Sequence, residues 1–237
     1  MNFRTFLRDL CLIELSDLIY RENDDVVPEQ WPSAEWRTKL IPAVNSVLRL
    51  LYIEKRVVQK ELVLQTSAHI TTYRLVKEHA VTDPAPVDKY IMDALAPFTG
   101  DLARIDEVRD EHDQVVFSAS ENVFGGRVRM PRWDTLVFSE PADGVEYLVR
   151  FRASAPTMTE NQDDEAVDLE LPPGYVDLLR LRVAERVYGA QKTPESVAKA
   201  AQYTQEATAL ETVLIHENMN QEDGWDFDNR QYQKGFV

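Results

Sequence analysis

Apolar side chains at the start of the chain recur at mixed spacings of three and four: Phe3, Phe6, Leu7, Leu10, Ile13 and Leu18. That spacing predicts an amphipathic helix with a broad apolar face, running to about Ile19. Asp24, Asp25, Pro28 and Pro32 then break the pattern in an acidic loop over 21–32. Ser33 is placed to cap a second helix, and Glu35 falls in its first turn, where the helix dipole favours an acid. Trp36, Leu40, Ala43, Val44, Val47 and Leu51 keep helical spacing to about Ile53. Pro42 lies inside that pattern, so it either kinks the helix or marks its effective start.

From Val57 the period changes. Val57-Val58, Leu62-Val63-Leu64 and the run Thr71-Thr72-Tyr73-Arg74-Leu75-Val76 favour extended backbone. At least four further strands are predicted: 102–108, 115–118, 128–130 with 136–138, and 145–151. Tyr147, Val149 and Phe151 alternate with Leu148, Arg150 and Arg152, the period of two of a half-buried strand. Turn residues separate them at Glu111-His112-Asp113, Gly125-Gly126 and Ala142-Asp143-Gly144. This middle third reads as a small antiparallel β unit.

An acidic connector over 159–165 and a strand-like stretch, 167–171, lead to Pro172-Pro173-Gly174. A strong helix is predicted over 175–188, with Leu178, Leu179, Val183 and Val187 on one side and Leu181, Ala184 and Tyr188 on another, so it should be contacted from two directions. Gly189 is expected to close it. Thr193 should cap the next helix, with Pro194 at the first helical position. That helix is expected to run to about Asn218. Its apolar residues are mostly small (Ala198, Ala200, Ala201, Ala207, Ala209), so it cannot bury much area within its own subunit. Ala198, Ala201 and Thr208 are therefore candidates for packing against a neighbouring copy.

The final stretch, 221–237, shows neither period but carries Trp225, Phe227, Tyr232 and Phe236. Half-buried, four aromatics would contribute about 10 kcal/mol. Ordering some sixteen residues costs about 16–24 kcal/mol. An extended arm is thus expected to need backbone hydrogen bonds from a partner or from its own domain. The fold class expected is α+β: N-terminal helices over 1–56, an inserted antiparallel β unit over 57–171, a C-terminal helical pair over 172–219 packing with 1–56, and an extended arm over 220–237.

Charge narrows the function. The 237 residues hold 26 Lys and Arg against 41 Asp and Glu, a formal net of −15. Affinity for nucleic acid comes mainly from neutralising phosphates, so such a surface argues against specific binding to it. The single cysteine, Cys11, sits in an apolar helical pattern and reads as a buried thiol, and the histidines His69, His79, His112 and His216 are not spaced as metal ligands. No G-x-S-x-G, P-loop or G-x-G-x-x-G motif occurs. The charges inside the first apolar helix argue against a signal peptide, and no stretch reads as a membrane span. A non-enzymatic protein without metal or cofactor, made in a cytoplasm, is the expectation.

Several stretches carry a likeness to one known family. Pro42-Ala43-Val44-Asn45-Ser46-Val47-Leu48-Arg49-Leu50-Leu51-Tyr52 is similar to the family's second helix, which ends at an aromatic. Gly100-Asp101-Leu102-Ala103-Arg104-Ile105-Asp106-Glu107-Val108 resembles the opening strand of its β unit, and Leu148-Val149-Arg150-Phe151-Arg152-Ala153-Ser154-Ala155-Pro156 its closing strand. Leu169-Glu170-Leu171-Pro172, followed by Leu178-Leu179 and Ala184-Glu185-Arg186-Val187, resembles the entry to its helical layer. The His112-Asp113 turn departs from the pattern, which leads one to expect glycine. Together these stretches resemble the head-to-tail adaptor family of short-tailed bacteriophages, and the resemblance implies a homo-oligomeric ring, typically of twelve copies, at the head-tail junction of a virion. One side would meet the portal protein, the other a tail or nozzle protein, and double-stranded DNA would pass through the lumen without specific binding. It also implies that the arm grips the portal through Trp225, Phe227, Tyr232 and Phe236. Two rival readings remain at this point: another neck or tail ring component such as a tail-completion protein, or a cytoplasmic enzyme acting on a small molecule.

Overall fold

The computed structural model describes residues 1–22, 32–55, 57–92, 97–119, 127–160 and 167–233, without the side chains of 20–22, 54 and 217–233. Helices and antiparallel sheets make up an α+β fold, as expected. The chain divides into two compact units, one of Met1–Leu48 with Thr157–Val237, the other of Arg49–Pro156.

The first unit is helical. The apolar N-terminus forms α1 (Phe3–Asp9), a π-helical turn (Leu10–Glu14) and α2 (Ser16–Glu22) rather than one continuous helix. Buried positions explain the interruption. Phe3, Phe6, Leu7, Leu10, Cys11, Glu14, Leu15, Leu18 and Ile19 repeat every four residues. On an α-helix that repeat drifts about 40° per step, and a π turn takes up the drift by holding one extra residue in the turn. The Leu15 amide accordingly bonds back to the Leu10 carbonyl. One expectation fails for the same reason: Ile13, assigned to the apolar face, is 61 % exposed.

Helix α3 (Ala34–Glu54) is capped by the Ser33 hydroxyl, which accepts from the Trp36 amide. It runs unbroken through Pro42, which is exposed, so the hydrogen bond that proline cannot make is lost on the solvent side. Asn45 fixes the return of the chain by a reciprocal pair of bonds with the Met158 backbone, at 2.9 and 2.8 Å. The strand-like 167–171 is no strand; only Asp168 bridges to Asn2. The connector over 161–166 lies outside the described residues.

Helix α4 (Pro173–Gln191) does not stop at Gly189; it continues to Gln191, and Lys192 takes the left-handed conformation that ends it. Thr193 and Ser196 then cap α5 (Pro194–Gln233) reciprocally: the Ser196 amide donates to the Thr193 hydroxyl, and the Thr193 amide to the Ser196 hydroxyl. Arg182 links the two helices by bonding both Glu185 and Glu211. Gly174 lets them approach closely, since a Cβ there would lie 2.5 Å from Leu214 Cδ2.

The second unit holds two antiparallel sheets. The larger, in strand order β3-β1-β8-β4-β5, consists of β3 (Ile91–Met92), β1 (Gln59–Gln65), β8 (Glu146–Ala153), β4 (Leu102–Arg109) and β5 (Val115–Ser118). The smaller, β2-β7-β6, consists of β2 (Thr72–Arg74), β7 (Thr135–Phe138) and β6 (Val128–Arg132). Strand β3, between Pro86 and Pro97, carried no sequence signal and is recruited by its pairing with Leu64 and Val63 of β1. A shared core of Leu64, Tyr73, Ile91, Ile105, Val108, Leu136 and Val149 fills the unit. The His112-Asp113 turn needs no glycine, because Asp113 itself takes φ 61°. Gly125-Gly126 lies outside the described residues.

The two faces of the smaller sheet differ sharply. Tyr73, Leu136, Val128 and Phe138 point into the core. On the other side the register aligns Arg74, Thr135 and Arg132 in one row and Thr72, Val137 and Arg129 in the next. Arg127 continues that side, its carbonyl accepting from the Ser139 amide at 2.8 Å.

Candidate interaction surface

Helix α5 is the longest element of the chain, yet among its described side chains only Ala207, Leu214 and Ser196 are buried. These lie on the side facing α4. Turned away from α4 are Ala198, Ala201 and Thr208, all three exposed, with Val197 and Ile215 at 55 % and 45 % exposure on the same flank and Val213 at 51 % on the other. Placing residues at about 100° each puts Val197, Ala201, Thr208 and Ile215 within one narrow stripe. The three residues singled out for neighbour packing are thus brought onto one open helix face; the larger Val197 and Ile215 beside them were not picked out, although they stand four residues before Ala201 and seven after Thr208.

The arm is the main correction. Residues up to Gln233 continue α5 as helix, where an extended segment from 220 was expected. The physical reason is the energetic shortfall noted for an extended arm: a helix supplies its own backbone hydrogen bonds and needs none from a partner. Trp225, Phe227 and Tyr232 lie on this helical backbone, with side chains outside the described set, and Phe236 lies outside the described residues.

The other end of α5 is anchored by polar chemistry at the π turn. The Glu14 carbonyl at the end of that turn accepts from the hydroxyls of Tyr188 at 3.2 Å and Tyr203 at 2.9 Å, whose rings stack 5.6 Å apart. Lys199 pairs with Asp17 of α2. The Glu14 side chain is 91 % buried; its Oε1 lies 3.5 Å from Arg180 Nε, and its Oε2 has no hydrogen-bond partner. Burial raises its pKa above the ordinary 4.5, Arg180 opposes this, and Asp177 and Asp9 add to the rise. Neighbouring Cys11 is pushed up to about 12 by burial and then by the Glu14 charge, so it is a thiol and not a nucleophile at neutral pH.

A raised carboxylate pKa has a definite sign. The folded protein binds the proton more tightly than the unfolded chain, so the stability tied to Glu14 is full below pH 4.5 and is lost as pH rises through the folded value. Glu14→Gln is therefore expected to melt about 2–4 °C higher than the wild type near neutral pH, equivalent to about 1 kcal/mol, and to lose that advantage on acidification. Thermal melts of both proteins across pH test this; a variant that melts lower at every pH would show that the charged pair is stabilising.

Among the described residues, no three His, Cys, Asp or Glu side chains are placed to hold a metal ion, and no helix is long and apolar enough to cross a membrane. No family model matches the chain, and no curated protein matches it.

Proposed function

We propose that this chain is a structural subunit of a head-to-tail adaptor ring in a phage virion, seated between the portal and the tail and enclosing part of the DNA path. One observation carries the reading: a 40-residue helix of whose described side chains only Ser196, Ala207 and Leu214 are buried. A helix with an open stripe of small and β-branched residues suits close packing against a different surface of the neighbouring copy, as a ring requires. The net charge of −15 fits a ring through which a duplex slides without adhering. In this reading the subunit associates weakly alone and the portal templates the ring, each bound copy raising the local concentration of the next. The terminal turns of α5, with Trp225, Phe227 and Tyr232, supply the portal contact. In this reading the protein acts by assembly rather than by catalysis.

Electron microscopy of the protein mixed with portal is expected to show a ring added to one end of the portal. Deleting residues 221–237 should remove that ring while the melting temperature of the remainder stays within a few degrees. If the truncated protein decorates portal at full affinity, the terminal turns have no gripping role; if full-length protein shows no ring, the function is wrong.

A further inference from the structure

Charge is distributed very unevenly between the two units. Residues 49–156 hold 14 basic and 17 acidic side chains, a net of −3, whereas the helical unit holds 12 and 24, a net of −12. Within the β unit the arginines divide again. Arg109, Arg150 and Arg152 of the larger sheet are engaged by Glu107, Asp113, Glu61 and Asp106. On the outer side of the smaller sheet Arg127, Arg129 and Arg132 are exposed and form no ion pair with a described residue. Arg74 lies in the same row as Arg132, its guanidinium neutralising Asp134 at 2.9 Å. Trp133, 57 % exposed, sits at the turn beside them.

We infer that this arginine face docks on the acidic helical unit of a second copy of the chain. Complementarity is the argument: the face is a concentrated positive patch on a polypeptide whose other unit carries most of the negative charge. Arginines two residues apart along a strand stand about 7 Å apart. Carboxylates four residues apart on a helix stand about 6 Å apart, close enough for two simultaneous forked ion pairs. Trp and Arg together are also the residues that dominate well-packed protein interfaces. A nucleic acid is the poorer occupant, because phosphates approaching this face also meet the field of a chain with net charge −15. The two surfaces are different patches, so the contact is heterologous, the kind that closes into rings or runs on as filaments. The inference deepens the proposed ring and rests on it.

The test uses the full chain. Sedimentation equilibrium should show weak self-association that falls as salt rises from about 50 to about 500 mM. The triple variant Arg127→Glu, Arg129→Glu, Arg132→Glu should associate at least about tenfold more weakly with an unchanged melting temperature. Should the triple variant melt early, Arg132→Glu alone is expected to weaken association about threefold or more. Separately, Arg132→Lys keeps the charge and adds an amine that carbodiimide joins to carboxylates within contact. With isotope-labelled and unlabelled copies mixed, cross-links from this amine should run to Asp or Glu of residues 1–48 or 157–237 of the other copy. Unchanged association of the charge-reversed variants, cross-links confined to 49–156, or a wild type that never associates would each overturn the docking, leaving the ring itself to the portal microscopy. Retardation of a labelled duplex by the wild type but not by the triple variant would assign the face to nucleic acid and overturn it as well.

Discussion

Tyr73→Ala is expected to lower the stability of the β unit by about 3–5 kcal/mol, the cost of truncating a large buried aromatic. Tyr73 is fully buried, with its ring edge-to-face against Tyr90 at 5.1 Å and Phe138 at 5.4 Å. Its hydroxyl accepts from the Ser67 amide at 2.8 Å and donates to the Ser67 carbonyl at 3.1 Å, closing the loop that leads into β2. One side chain thus joins the short strand of the smaller sheet to the common core. Tyr73→Phe keeps the ring and loses only these two bonds, so it should cost about 1–2 kcal/mol. Urea unfolding of both variants separates packing from hydrogen bonding; a loss below about 1 kcal/mol for the alanine variant would mean that Tyr73 does not organise the core.

Asp106→Ala is expected to cost about as much, about 3–5 kcal/mol, by a different mechanism. Arg152 on β8 donates through Nε to both Asp106 carboxylate oxygens at 3.0 and 2.9 Å and through Nη1 to the Ile53 carbonyl at 2.8 Å. The two side chains are 8 % and 14 % exposed. Here a guanidinium on a central strand meets a carbonyl in the last turn of α3, where the helix dipole favours positive charge. Removing Asp106 leaves a buried cation with a single carbonyl partner. Replacing both members, as Asp106→Leu with Arg152→Met, should recover all but about 1 kcal/mol, because the desolvation of two charges disappears with their attraction. If the double variant is as unstable as Asp106→Ala, the pair contributes net stability and the cost does not come from a stranded charge.

These two sites show how legibility varied along the chain. Tyr73 stood in a run of β-formers, so its strand could be read from composition; its role in tying β2 to the common core could not, because Tyr90 and Phe138 reach it from outside that run. Arg152 read as the solvent-facing partner in an alternating strand, yet it is 6 % exposed. Alternation assigns sides only relative to one sheet face, and the second side of β8 is partly covered at its end by the last turn of α3. The candidate interaction surface was legible in part. The shortage of large apolar residues in α5 was plain, and the structure places Ala198, Ala201 and Thr208 on the exposed side. The terminal segment was misjudged because polar helices lack an apolar period, and a reading based on periodicity takes that lack for extended chain. The arginine face escaped notice altogether: Arg74 is separated by more than fifty residues from Arg127, Arg129 and Arg132, and only the pairing of β2 and β6 on either side of β7 makes them one patch.

Sequence alone therefore determined what depends on near neighbours: the helices at either end of the chain and the β-rich middle, the caps at Ser33 and Thr193, the α+β class, the acidic balance and the open character of α5. Periodicity, turn chemistry and charge act over a few residues, and no partner is needed to read them. Tertiary structure decided the rest. The π turn at Leu10–Glu14, the recruitment of β3, the burial of Glu14 and Arg152 and the gathering of four arginines all depend on which distant segments come into register. That register is settled by the sum of many weak contacts across the fold, to which each segment contributes only part.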